Sequence, residues 1–108
     1  MNPLHELERL FLSKTNVSIA IKQAAYMRNQ FRFFGIPQPQ RRVLQKEIYP
    51  LCSKEDVASL IKALWERPER EYHYAAIDIA KRFSKKYAPV ELKIFEQMIR
   101  SHSWWDTV

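Results

Sequence analysis

The stretch Val57-Ala58-Ser59-Leu60-Ile61-Lys62-Ala63-Leu64-Trp65-Glu66-Arg67-Pro68-Glu69-Arg70-Glu71-Tyr72 decides the fold. Val57, Leu60, Ile61, Leu64 and Trp65 recur at steps of three and four, the spacing of one face of an α-helix. Pro68 interrupts that period, because proline has no N–H to donate within a helix interior. It restarts the chain as a further helix, whose apolar residues are Tyr72, Ala76, Ile79 and Phe83. Helix, proline break, helix is the pattern of short consecutive helices, and it extends in both directions.

Upstream, Asn2-Pro3 pairs an N-cap residue with the proline favoured at the first helical position, so a first helix is expected to about Ser13. Thr15 or Asn16 can cap a second, with Val17, Ala20, Ala24, Met27, Phe31 and Phe34 on one side. Gly35 and Pro37 are expected to end it. Pro39 opens a third helix with Val43, Leu44, Ile48 and Leu51 inward. Ser53-Lys54-Glu55-Asp56 resembles a capping box before the fourth. Downstream, Pro89 starts a sixth with Val90, Ile94, Phe95, Met98 and Ile99 inward, and Ser103 caps a seventh. A strand period of two persists nowhere. The expected class is all-α, with stacked antiparallel helix pairs forming an α-solenoid fragment, the third helix paired with the fourth and the fifth with the sixth.

The last five residues, Trp104-Trp105-Asp106-Thr107-Val108, are too few for a helix that is stable alone. Residues 1–108 are therefore expected to be the N-terminal part of a single helical-repeat domain truncated at its C-terminus. A tail that docks one tryptophan is the alternative. An uncovered end also invites dimerisation.

Composition removes several function classes. With 46% hydrophobic residues and 14 aromatics among 108, the chain can bury a core. Its one glycine excludes a Gly-rich phosphate loop or dinucleotide fingerprint. Its one cysteine, Cys52, excludes an intrachain disulfide and a thiolate metal cluster, and reads as a core thiol. His5, His73 and His102 form no ligand pair, so no metal or cofactor is expected. An N-terminus bearing Glu6 and Glu8, with no apolar run of membrane-spanning length, points to a cytoplasmic protein without membrane partners, associated with the nucleoid if it binds DNA.

The charge is uneven. From Arg9 to Lys46 there are eight basic residues and no acidic one, while the other 70 residues carry ten basic and twelve acidic. The segment is +8 in a chain of +6. A one-signed stretch is the footprint of a polyanion-binding surface or simply a solvated face. Within it, Tyr26 lies off the centre of the expected apolar stripe and four residues from Lys22. Such a pair can stack on a sugar or base while the lysine meets phosphate, or Tyr26 can be a core-edge residue. Glu69-Arg70-Glu71 reads as helix-start chemistry. Asp78 can pair with Arg82 on its own helix or reach another helix. Asp106, at capping-box spacing from Ser103, reads as structural.

Several segments together resemble the DNA alkylation repair enzyme family, AlkD-like DNA glycosylases built from HEAT-like helical repeats. They are Ala25-Tyr26-Met27-Arg28-Asn29-Gln30-Phe31, Phe34-Gly35-Ile36, Pro39-Gln40-Arg41-Arg42, Leu64 to Tyr72, Ala76-Ile77-Asp78, and Ser103 to Val108. The resemblance covers the N-terminal half of a family member and implies excision of positively charged 3- and 7-alkylpurines from double-stranded DNA. A cationic base is already a good leaving group, so the burden falls on stabilising the sugar cation. The resemblance makes Tyr26 the lesion-side aromatic and Trp105 the lining of the reaction centre. It makes Arg41 and Arg42 phosphate contacts, and Lys22 and Lys46, from the same one-signed segment, are expected beside them on the DNA backbone. Gln40 stands where the family carries an acid. The family's catalytic aspartate would be the residue after Val108, so these 108 residues are expected to be inactive alone. A non-catalytic duplex-DNA-binding protein and a helical scaffold for an acidic protein are the rival readings.

Overall fold

A computed structural model describes residues 2–52 and 57–83. Among them the elements are α1 (Pro3–Ser13), α2 (Val17–Tyr26), α3 (Gln38–Ile48), a 3-10 turn (Tyr49–Leu51), α4 (Val57–Trp65) and α5 (Arg70–Phe83). The all-α expectation holds for these residues, whose only strand-like pairing is a single bridge between Arg32 and Glu69. The capping box at 53–56 and the sixth and seventh helices, with Trp104, Trp105, Asp106 and His102, lie outside the described residues.

The local start signals work as expected. The Asn2 side chain accepts from the amides of Leu4 and His5, and that of Asn16 accepts from Ile19. α4 buries its whole stripe, Val57, Leu60, Ile61, Leu64 and Trp65, against Leu7, Phe11, Ile48, Tyr72 and Ile79 in one apolar cluster. Only four residues join α4 to α5, and α4 packs chiefly on α5. α3 instead packs on α1 and α5. The expected pairing of the third helix with the fourth is thus replaced by an α4–α5 hairpin, since the shorter connection leaves no room for anything but antiparallel neighbours. Arg67, in the hairpin turn, ties it to α1 through Glu8 at 3.2 Å.

The second helix departs most from expectation. It ends at Tyr26, not at Phe34. Arg28 and Asn29 both take left-handed backbone (φ 56° and 58°). The Asn29 amide donates to Ala24 and the Arg28 amide to Ala25. That is the paired hydrogen-bond pattern of a Schellman stop, made without glycine. Phe31 and Phe34 therefore leave the helix, and Val17 is 69% exposed. Gly35 serves a different purpose. Its φ is +90°, and a Cβ there would fall 1.9 Å from the carbonyl oxygen of Asn16. It lets the segment around Phe34 press against the first turn of α2. Val43 is likewise exposed, because the buried face of α3 is Arg41, Leu44, Gln45 and Ile48.

Candidate nucleic-acid interface

α2, α3 and α5 border a cavity of about 580 Å³. Lys22, Gln23 and Tyr26 come from α2, and Gln38, Arg41 and Arg42 from α3. Glu71, Tyr74, Asp78 and Lys81 come from α5. Met27 and Ile36, both buried, form apolar lining. Beside it lies a second concavity of about 570 Å³, bordered by Arg42, Lys46, Tyr49, Asp78, Lys81 and Arg82. Arg42, Asp78 and Lys81 belong to both, so cationic side chains run along two adjoining hollows. Lys22, Tyr26, Arg42 and Lys46, four of the residues singled out in the sequence, border these hollows. Tyr26 is 70% exposed, so its ring is not a core residue.

The two arginines at the start of α3 are not equivalent. Arg41 is buried; its guanidinium donates to Asp78 at 2.9 Å and to Gln45, and lies over the ring of Tyr74. Arg42 has its side chain 55% exposed, with Nε 3.6 Å from the same carboxylate. Asp78 thus takes the cross-helix option rather than a pairing within its own helix. Burial alone would raise its carboxyl. The hydrogen bonds from Arg41 and Gln45 and the charges of Arg41 and Arg42 outweigh that and hold it below the ordinary range.

Glu71, read from the sequence as helix-start chemistry, does lie in the first turn of α5, but its carboxylate serves a distant segment. Its carboxylate is buried and accepts from three consecutive amides: Phe34 at 3.0 and 3.1 Å, Gly35 at 3.1 Å and Ile36 at 3.3 Å. Burial raises its carboxyl above the usual value while these amides pull it back. The available signal was indirect: a non-helical Phe34-Gly35-Ile36 needs acceptors for its amides. Lys81 and Arg82 were missed, because they lie outside the Arg9–Lys46 segment. They enter the interface because α5 crosses α3. Arg82 stacks over Tyr49 at 4.4 Å.

Both carboxylates at the cavity are engaged with protein donors, so the hollow is suited to gripping an anion rather than to carboxylate chemistry. His73 is buried under Trp65 and Phe31. It lies between the Arg70 guanidinium and the Arg67 carbonyl, which requires the tautomer protonated on Nε2. Cys52 is half-buried. Its thiol donates to the Ile48 carbonyl and is pushed up by burial, as suits an inert core-edge thiol. Trp105 lies outside the described residues. No helix of the described residues is long and apolar enough to cross a membrane.

No curated protein matches the chain. A solved structure described as "Predicted DNA alkylation repair enzyme from Enterococcus faecalis" is 35% identical with a TM-score of 0.79. The match covers 86% of this chain and 45% of that one, so the chain spans less than half the length of that relative. The model of the DNA alkylation repair enzyme family matches residues 7–108. With that match running over nearly its whole length, the chain belongs to the DNA alkylation repair enzyme family.

Proposed function

We propose that this chain forms the duplex-gripping part of a DNA glycosylase that removes positively charged 3- and 7-alkylpurines. The observation that supports this best is the pair of adjoining hollows between α2, α3 and α5, with Lys22 and Tyr26 on one wall and Arg42, Lys46, Lys81 and Arg82 on the other. Exposed cations along adjoining hollows suit phosphates, and an exposed tyrosine beside them suits a sugar or base.

In this reading Arg42, Lys46 and Lys22 hold the backbone, while Arg41 sets the position of Asp78 and α3 and meets phosphate only at second hand. Tyr26 faces the lesion, and Trp105 lines the reaction centre. Because the damaged base already carries a positive charge, no general acid is required. An aromatic face such as that of Trp105 stabilises the developing sugar cation by about 1–2 kcal/mol when desolvated. The carboxylate that orients water belongs to the residue that follows the Trp104–Val108 run in the family pattern, not to Asp78 or Glu71.

The test is duplex binding by fluorescence anisotropy across a salt series. The three phosphate contacts of Arg42, Lys46 and Lys22 give a log–log slope of about −2.7. Binding that is absent, or independent of salt, overturns the DNA reading.

A further inference from the structure

We infer that Glu71 is a positioning residue: through the 34–36 strap it fixes α2, and with it Lys22 and Tyr26, against the α3–α5 wall of the interface. The inference rests on the DNA-gripping reading only for its consequence, not for its mechanics.

α2 is an unusual element of this fold. None of its residues is buried. Among the described residues, the extensive helix–helix packing is among α1, α3, α4 and α5, and α2 has no share in it. Met27, directly after it, is buried but outside the main apolar cluster. Among the described residues, packing of the kind that holds the other helices is therefore largely missing at α2, and its position rests on other contacts.

Those contacts converge on the strap. The Asn16 amide donates to the Phe34 carbonyl at 2.8 Å, at the start of α2. Gln23, in its middle, donates to the Ile36 carbonyl at 3.3 Å. Gly35 lies against Asn16 and Ala20 at a distance only glycine permits. The Phe34 and Ile36 carbonyls of the strap thus face α2, while its three amides face Glu71 on α5. One buried carboxylate holds the backbone on which α2 rests. Phe34 adds edge contact with Tyr72, but an apolar ring tolerates sliding, whereas three hydrogen bonds to one carboxylate set a register. The same carboxylate borders the cavity that α2 walls. A shift of the strap therefore changes the span between Lys22 and Arg42, the two sides that must meet one backbone at once.

The experiment is amide hydrogen exchange, with duplex affinity, on the 108-residue chain carrying Glu71→Gln, Glu71→Asp or Gln23→Ala. Gln23→Ala cuts only the strap-to-helix bond and keeps Glu71, so it serves if the glutamine variant does not fold. Selective loss of protection is expected: about tenfold or more over residues 17–27, with 57–65 and 70–83 changed less than about threefold. Duplex affinity falls about three- to tenfold, and Glu71→Asp recovers part of both effects. Loss spread evenly over all helices means a merely structural role and overturns the inference. So does an unchanged α2 in both Glu71→Gln and Gln23→Ala. Loosened α2 with undiminished affinity overturns the link to the interface. A wild-type chain that binds no duplex counts against the DNA reading, and the exchange pattern then still decides whether Glu71 holds α2.

Discussion

Replacing Arg41 or Arg42 by alanine separates two jobs that look identical in sequence. Arg41 is 4% exposed, and its guanidinium sits between Asp78, Gln45 and the ring of Tyr74. Removing one partner of a fully buried ion pair costs about 3–5 kcal/mol. Here the loss is smaller, because the Asp78 side chain is 20% exposed and keeps the Gln45 amide at 3.1 Å and Arg42 at 3.6 Å. Arg41→Ala should therefore cost about 2–3 kcal/mol, which lowers Tm by roughly 10–20 °C in a domain of this size. Arg42, half in water and at 3.6 Å, should cost no more than about 0.5 kcal/mol when replaced. The DNA assay reverses the order. Arg42→Ala should reduce the salt slope by about 0.9, the share of one phosphate, whereas Arg41→Ala should leave the slope nearly unchanged once the protein is folded. Urea denaturation and anisotropy titrations on both variants measure this. A double-mutant cycle of Arg41→Ala with Asp78→Ala should give a coupling of about 1–2 kcal/mol. If Arg42→Ala is the less stable variant, or if Arg41→Ala alone lowers the slope, the division of labour is wrong.

Three further outcomes concern the backbone and the carboxylates. Arg28→Gly should stabilise the chain by about 0.5–1 kcal/mol in urea denaturation, because a left-handed non-glycine residue costs about 1–2 kcal/mol and glycine returns part of that gain through the unfolded state. A destabilised Arg28→Gly would mean that the side chain, not the turn, matters there. The pH dependence has two signs. Asp78, with its carboxyl depressed in the fold, contributes stability above its unfolded value of 3.8 and loses it as pH falls through the folded value. The stability gap between wild type and Asp78→Asn should hold at neutral pH and close on acidification below 3.8. Glu71, with its carboxyl raised, contributes most below its unfolded value of 4.5 and loses that contribution as pH rises through the folded value. The deficit of Glu71→Gln should therefore widen as pH is lowered toward 4.5. A gap that moves the other way for either residue refutes the assigned environment.

Features that depend on neighbours within one or two helical turns were legible in the sequence. Asn2 and Asn16 cap the amides two or three residues ahead, and the α4 stripe repeats every three or four residues, so the starts of α1 and α2 and the buried face of α4 were readable. The membership of Tyr26, Lys22, Arg42 and Lys46 in one surface was also legible, through family resemblance and the one-signed charge of their segment. The tertiary structure decided what depends on residues far apart in the chain. Glu71 meets Phe34 across 37 positions, and Asp78 meets Arg41 across the same separation, so no local pattern marks either pairing. The end of α2 belongs to this second class. Continuing the helix through Phe31 and Phe34 satisfies local periodicity. Releasing the segment, however, lets Phe34 and Ile36 enter the core and gives three freed amides to one buried carboxylate. Those gains outweigh the roughly 1–2 kcal/mol cost of left-handed backbone at each of Arg28 and Asn29. Two adjacent arginines with the same local chemistry were divided for the same reason: α5 passes over one side of α3 and leaves the other to water.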